Sequence, residues 1–226
     1  KQTFDATDVI AKKDMLIAGG VIGRGRASIK AGGGFKAKFV QNCRLAARGF
    51  VSISAAAVNS TIYTLDKLDL GDKGRIVGCE VYAVHGVRAA GIGTEGGKST
   101  KLHCGVDFTA QQELDRVNEQ VRTASLKAAK VRELIAAPST DGLLRTKYED
   151  YLKRLSEEQN RLNARITDLL GRINADEDAA VEISGDAAKG TTIEICHISL
   201  VLDKTLKKVR FRLDKTQGKL VHESLK

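Results

Sequence analysis

Two periods divide this chain. From about Ala27 to Val106, apolar and polar residues alternate at every second position in short runs, the period of a strand. Three segments stack on one another: Ile29–Cys43 (IKAGGGFKAKFVQNC), Leu45–Ser60 (LAARGFVSISAAAVNS) and Ile62–Cys79 (IYTLDKLDLGDKGRIVGC). Each opens with an apolar–x–small triplet, passes a tight turn, enters a second strand and closes on a small residue. The closing residues Cys43, Ser60 and Cys79 are 17 and 19 apart, and a looser copy follows at Val81–Gly93. That period is too short for a helical repeat and matches one coil of a parallel β-helix. One coil cannot bury its inward row alone. Stacked coils pair each strand edge with the coil below, about 4.8 Å away, and bury a continuous core.

The alternation assigns the faces. Ile29, Ala31, Phe35, Ala37, Phe39, Leu45, Ala47, Val51, Ile53, Val58, Ile62, Leu68, Leu70, Ile76, Val81, Ala83 and Val87 are expected inside. Lys30, Lys36, Lys38, Ser52, Ser54, Asp69 and Arg88 stand between them, facing out. Gly32-Gly33, Gly49 and Gly86 fall at corners, where a positive φ is expected. Asn42 and Asn59, 17 apart, sit just before the closing position; they are either stacked along the solenoid axis or ordinary turn residues. Lys1–Leu16 is mixed and polar, a partial rung or a lead segment. Because the chain opens at Lys1 rather than Met, further sequence is expected upstream.

At Thr109 the period changes. T-A-Q-Q (Thr109–Gln112) has the form of a capping box. Leu114, Val117, Val121, Ala124, Ala128, Val131 and Ile135 then alternate spacings of 3 and 4, a heptad seam. Pro138, Ser139 and Gly142 break it. A second seam runs through Leu144, Tyr148, Tyr151, Leu155, Leu162, Ile166, Leu169 and Ile173, with a polar layer or stutter at Glu158 or Gln159. Two seams joined by a short connection predict an antiparallel coiled-coil hairpin with arms of roughly 40–48 Å, projecting from the β-helix. After Asn174 strand patterns return at Val181–Ile183, Ile193–Ile195, Ile198–Leu202 and Val209–Leu213. The turn K-T-Q-G (Lys215–Gly218) then leads to Leu220. The fold class is therefore mainly β with an α insertion: 1–108 forms the first coils, 109–174 the hairpin, and 175–226 completes and caps the β-helix.

Composition supports this. Aromatics are 4% of 226 residues and Trp is absent, which suits a wound backbone filled by Ala, Val, Ile and Leu. Four widely spaced cysteines, Cys43, Cys79, Cys104 and Cys196, with no C-x-x-C, read as buried reduced thiols rather than a disulfide scaffold. No run reaches the ~20 apolar residues of a membrane-spanning helix, and residues 1–226 show no signal-peptide pattern, so a cytoplasmic location is expected. The net charge of +9 is unevenly placed. Between Met15 and Leu65 lie Arg24, Arg26, Lys30, Lys36, Lys38, Arg44 and Arg48, and no acid. Such a stretch attracts nucleic acid, anionic lipid or acidic protein, or else forms a solvated face that keeps strand edges unpaired.

Catalytic motifs are weak. Gly91-x-Gly93-x-x-Gly96 fits the dinucleotide fingerprint, but a strand-like segment follows it where a helix should open. Gly97-Lys98-Ser99 resembles the end of a phosphate loop, yet Ile92 stands where its first glycine belongs. The loop reads as a glycine-rich excursion of the solenoid. His85, His103, His197 and His222 are isolated in sequence. Only strand stacking would bring His103-Cys104 to Cys196-His197, giving at best a mixed metal site. Asp66, Asp69, Asp72 and Glu80 lack the repeat register of a carbohydrate-cleaving carboxylate pair. No catalytic, cofactor or metal residue is assigned, no cofactor is expected, and the chain reads as non-enzymatic.

Several segments in order resemble the flagellar assembly protein A (FapA) family. These are GRGRASIKAGG (Gly23–Gly33), KAKFVQN (Lys36–Asn42), KGRIVGCEVYA (Lys73–Ala83), GTEGGKST (Gly93–Thr100), GVDF (Gly105–Phe108) and, after the hairpin, VRFRL (Val209–Leu213). Arg48, where the family usually has a corner Gly, and the charged Leu65–Asp72 depart from the pattern. The resemblance implies a right-handed β-helix interrupted by a coiled-coil hairpin, in a bacterial cytoplasmic protein linked to flagellar assembly, placement or number. It also implies partners among flagellar assembly or polar placement proteins. The coils are similar, too, to the β-helical domain of the septum-site protein MinC and to bactofilins, which self-associate. From these readings we expect the seven cations named above to be a partner-binding surface. A homo-oligomer is also expected, because a solenoid with open ends must be capped or paired. The alternative is an anionic-membrane or nucleic-acid module using the same face.

Overall fold

A computed structural model of the chain describes residues 3–5, 8–137 and 141–225. It divides into two compact units, Lys1–Phe108 with Asn174–Lys226, and Thr109–Ile173. The first is a parallel β-helix whose strands stack in three columns. Face A is built from Asp8–Ala11, residues 27–31 and 43–47, Thr61–Thr64, Glu80–Ala83, Lys101–Cys104 and Thr192–Ile195. Face B stacks Met15–Leu16, residues 35–37 and 51–53, Leu68–Asp69, Val87–Ala89 and residues 181–183. Face C stacks Thr3–Asp5, residues 20–22, 39–41 and 56–58, Arg75–Val77 and Gly91–Ile92, with Ala187 last.

The register converts the repeat into continuous inner rows. On face A, Ile29, Leu45, Ile62, Val81, Leu102 and Ile193 lie one above another and are fully buried. On face B the row is Phe35, Val51, Leu68, Val87 and Val181, continued by Phe211. Two expectations fail on face C, where a register irregularity between Ala37 and Phe39 shifts the alternation by one. Val40 and Ala57 point inward there, while Phe39 and Val58 are only half-buried. Phe39 instead covers Gly20, where any β-carbon would strike its ring.

The corners are also more specific than a positive φ. Of the glycines expected at the face A–B corner, Gly86 takes a left-handed φ of 94°. Gly32 is needed for closeness: a β-carbon there would lie 2.2 Å from the Lys12 carbonyl oxygen of the rung before. At the face C–A corner the left-handed residues are Asn42 and Asn59, at φ 52° and 47°, and Gly78 in the next rung. The residue after each is the closing one, and these form a buried ladder. Cys43 N–H donates to Ser60 Oγ at 3.3 Å, and Ser60 N–H to Cys79 Sγ at 3.4 Å.

The two ends of the solenoid differ. At the C-terminal end, Ile198–Val201 turns back antiparallel on Thr192–Ile195. Leu206–Asp214 lies antiparallel on Ala180–Ala187 and pairs in turn with Lys219–Ser224, forming the expected cap. At the N-terminal end, the strands of the first rung pair on one side only among the described residues. The lead segment is thus a rung; Lys1, Gln2, Ala6 and Thr7 lie outside the described residues.

The second unit is an antiparallel helical hairpin, α1 (Phe108–Ala136) and α2 (Gly142–Ile173), inserted in the chain between the strand Lys101–Cys104 of face A and the next strand of face B. Helix α1 opens at Phe108, so Thr109 lies in the first turn rather than at the N-cap. The seam buries Leu114, Val117, Ala124, Ala128 and Val131 against Leu155, Leu169 and Ile173. Its polar layer is Gln159, whose side chain donates to Ser125 Oγ at 2.9 Å. Leu144 and Tyr151 sit at seam positions but stay 46% and 42% exposed. The break at Pro138 and Ser139 lies outside the described residues.

Candidate interaction surfaces

All seven cations of the acid-free stretch are exposed. The register distributes them around the second and third rungs. Lys30 and Arg44 stand on face A, in adjacent rungs, and Lys36 on face B. Arg24 and Arg26 occupy the face C–A corner, Lys38 the B–C corner and Arg48 the A–B corner. They form a collar rather than a row on one face. Arg44 is held in place: its guanidinium donates to Tyr63 Oη at 2.9 Å and lies 5.1 Å from the ring centre.

That contact opens a feature which reading the chain linearly missed. Tyr63, Tyr82 and His103 occupy one outer row of face A. Their rings stack at 4.8 and 4.6 Å with interplanar angles of 5° and 11°, close to the rung spacing. Phe108 tilts against Tyr63 at 5.0 Å. Tyr82 Oη donates to Glu80 at 3.0 Å; burial first, then that carboxylate, push its hydroxyl well above the usual tyrosine range. His103 lies between Glu194 at 3.4 Å and Glu80 at 3.9 Å. Both faces of each tyrosine are covered, Tyr63 by Arg44 and Tyr82, and Tyr82 by Tyr63 and His103, so the ladder stiffens the wall and offers no free tyrosine face to a sugar or base. Spacings of 19 and 21 residues would have revealed it, had the uneven turns not hidden the register.

The remaining chemistry-bearing residues are placed as follows. All four thiols are pushed up by burial, Cys79 to about 11, which keeps them protonated and unlike nucleophiles or metal ligands. His85 Nδ1 contacts Asp176 Oδ2 at 2.8 Å across the A–B corner, a pair 91 residues apart in sequence. Stacking brings Glu194 near His103, and the turn that follows brings His197 to the same carboxylate. Among the described residues no three His, Cys, Asp or Glu side chains gather at metal-binding geometry. Asp72 is paired with Arg88 at 2.6 Å, and Asp69 caps the turn at Gly71. The glycine-rich loop lies between Gly91–Ile92 and Lys101–Cys104, an excursion of the C–A corner. With Lys189–Thr191 it walls a cavity of about 420 Å³. Its carboxylate, Glu95, accepts from Thr205 Oγ1 at 2.9 Å.

Within the hairpin, a cavity of about 450 Å³ has Ala124 and Leu155 as its apolar lining and Arg116, Glu119, Lys127 and Glu158 among its polar ones. Farther along, Arg165 bridges the helices to Glu113 at 2.7 Å and holds Asp168 at 2.7 Å.

A wound wall with a helical insertion and surface charge, rather than a convergent cleft, defines a β-solenoid protein. Compared with known families, the chain matches the model of the Flagellar Assembly Protein A β-solenoid domain over residues 1–220. The chain belongs to that family. No curated protein and no solved structure matches it.

Proposed function

We propose that this chain is a non-enzymatic scaffold or regulator of bacterial flagellar assembly, placement or number, acting by protein–protein contact. The observation that carries the reading is the collar: seven exposed cations in two rungs, with no acid between Met15 and Leu65. A backbone tied rung to rung holds those charges at fixed spacing, so an acidic partner meets a preorganised field, which favours fast and selective association. The hairpin, as a coiled-coil arm, supplies a second surface. The site of action is the cytoplasm, at the cell pole or against the membrane, and the partners are other proteins of flagellar assembly or polar placement. Changing Arg24, Arg26, Lys36 and Lys38 together to Glu should abolish partner capture and impair motility while leaving the fold intact. Unchanged motility and unchanged partners would refute the collar's role.

A second reading, an anionic-membrane or nucleic-acid module, is favoured by the placing of cations on all sides of the same rungs. Its binding would weaken steeply with salt. Flat salt dependence, or no binding to anionic vesicles or duplex DNA at low salt, eliminates it. The stacked tyrosines leave no free ring face, which counts against single-strand binding.

A further inference from the structure

The glycine-rich loop fails as a phosphate loop in sequence because a strand follows it, yet the fold completes it from elsewhere. Lys189–Thr191, which reach this corner only after the chain has returned from the hairpin, form the other wall of its cavity of about 420 Å³. That volume lies within the range of small-molecule sites. Among the described residues the lining is glycine, hydroxyl and charge, with no aromatic or branched aliphatic side chain. A turn closes from Gly97 N–H to the Thr94 carbonyl at 3.3 Å, with Gly96 at a left-handed φ of 72°. The amides of Glu95, Gly96, Lys98 and Ser99 find no acceptor among the described residues. Lys98 and Lys189 stand exposed, one on each wall. The one carboxylate of the lining, Glu95, is already bonded to Thr205 Oγ1. Thr191 is 1% exposed, and its Oγ1 has no partner. That hydroxyl lies against Gly93, where a β-carbon would come within 2.4 Å of it.

We propose that this cavity binds a small soluble phosphate monoester. Its phosphate sits on the unpartnered loop amides between Lys98 and Lys189, and a small shift of the loop at Gly93 lets Thr191 Oγ1 donate to it. Unpartnered amides in a glycine turn with cations beside them favour an anion, and a buried hydroxyl with no acceptor gains most from one. The lining has no ring or branched aliphatic side chain to hold a nucleobase, so the class is a phosphorylated polyol rather than a nucleotide. The site shares no residue with the collar.

The test is isothermal titration of the whole chain, at constant ionic strength, with glycerol phosphate and with adenosine monophosphate. Glycerol phosphate should saturate one site per chain, and adenosine monophosphate should bind no more tightly. Lys98→Gln with Lys189→Gln should weaken binding at least about tenfold. Thr191→Val should weaken it at least about threefold. Without ligand the same variant should melt no lower than the wild type, because it removes an unpartnered buried hydroxyl. Reversal of the collar cations should leave binding unchanged. Absence of saturable binding, binding unmoved by either set of changes, its loss on collar reversal, or tighter binding of adenosine monophosphate would each overturn the proposal. Displacement of glycerol phosphate by phosphatidic acid vesicles would overturn the soluble source and assign a lipid headgroup.

Discussion

The solenoid and the hairpin spend their apolar residues differently. In the solenoid every rung contributes to a row that closes on itself, and residues such as Leu45, Ile62 and Val81 have no exposure at all. Their neighbours above and below are fixed by backbone pairing, so the position of each side chain is over-determined. In the hairpin, α2 buries only Leu155, Leu169 and Ile173. The cross-helix contacts include the seam, the Gln159–Ser125 hydrogen bond and the exposed Arg165–Glu113 bridge. The wall is built to hold shape and the hairpin to remain adaptable, which is where low local stability is tolerated.

The largest contrast should come from truncating core side chains. Phe35→Ala removes a fully buried ring from the face B row and should cost about 3–5 kcal/mol in urea unfolding. Leu126→Ala, on the exposed side of α1, should stay within about 0.5 kcal/mol. Comparable losses would erase the distinction. Glycine substitutions should differ even in sign. Gly86→Ala forces a β-carbon to within 2.2 Å of the Ala180 carbonyl oxygen at φ 94° and should cost at least about 1–3 kcal/mol. Gly171→Ala, with open space around it inside α2, should gain about 0.5–1 kcal/mol. Thermal melts of the two variants decide the point.

Alkaline pH should act on the wall. Cys79 titrates at about 11 in the fold against 9.0 for an ordinary thiol, because burial disfavours the thiolate. The folded state thus holds its proton more tightly. The stabilisation is complete below pH 9 and is lost as pH rises towards 11, at no more than about 1.4 kcal/mol per pH unit for one thiol. Denaturation midpoints flat across that window would contradict the burial of the closing ladder. The smallest effect belongs to the hairpin's ion pairs. Arg165→Ala should lower its helicity slightly at low salt and not measurably at high salt, since both carboxylates it holds are exposed.

Much of the wall was legible because its closing residues keep nearly even spacing: Cys43, Ser60 and Cys79 mark one corner in chain order and in space. Phe39 and Val58 were misplaced because alternation is blind to a register irregularity between strands. Corner glycines were legible as corners, but whether φ or close approach requires them depends on what lies in the adjacent rung. The cations were plain in the sequence as an acid-free run; their arrangement as a collar was not, since three residues of chain can turn a corner. The Tyr63–Tyr82–His103 stack and the His85–Asp176 pair were hidden for a related reason. The first depends on loops of unequal length, and the second is joined only after the inserted hairpin has returned.

On the proposed reading, the wall carries its function on the collar and the hairpin. Affinity capture from a flagellated bacterium tests it, using the wild-type chain, the Arg24/Arg26/Lys36/Lys38→Glu variant and a chain in which a short glycine linker replaces Thr109–Ile173. Both altered chains should keep the strand signal and cooperative unfolding of the solenoid while each loses partners that the wild type captures. Recovery of the same partners by all three folded chains would contradict it.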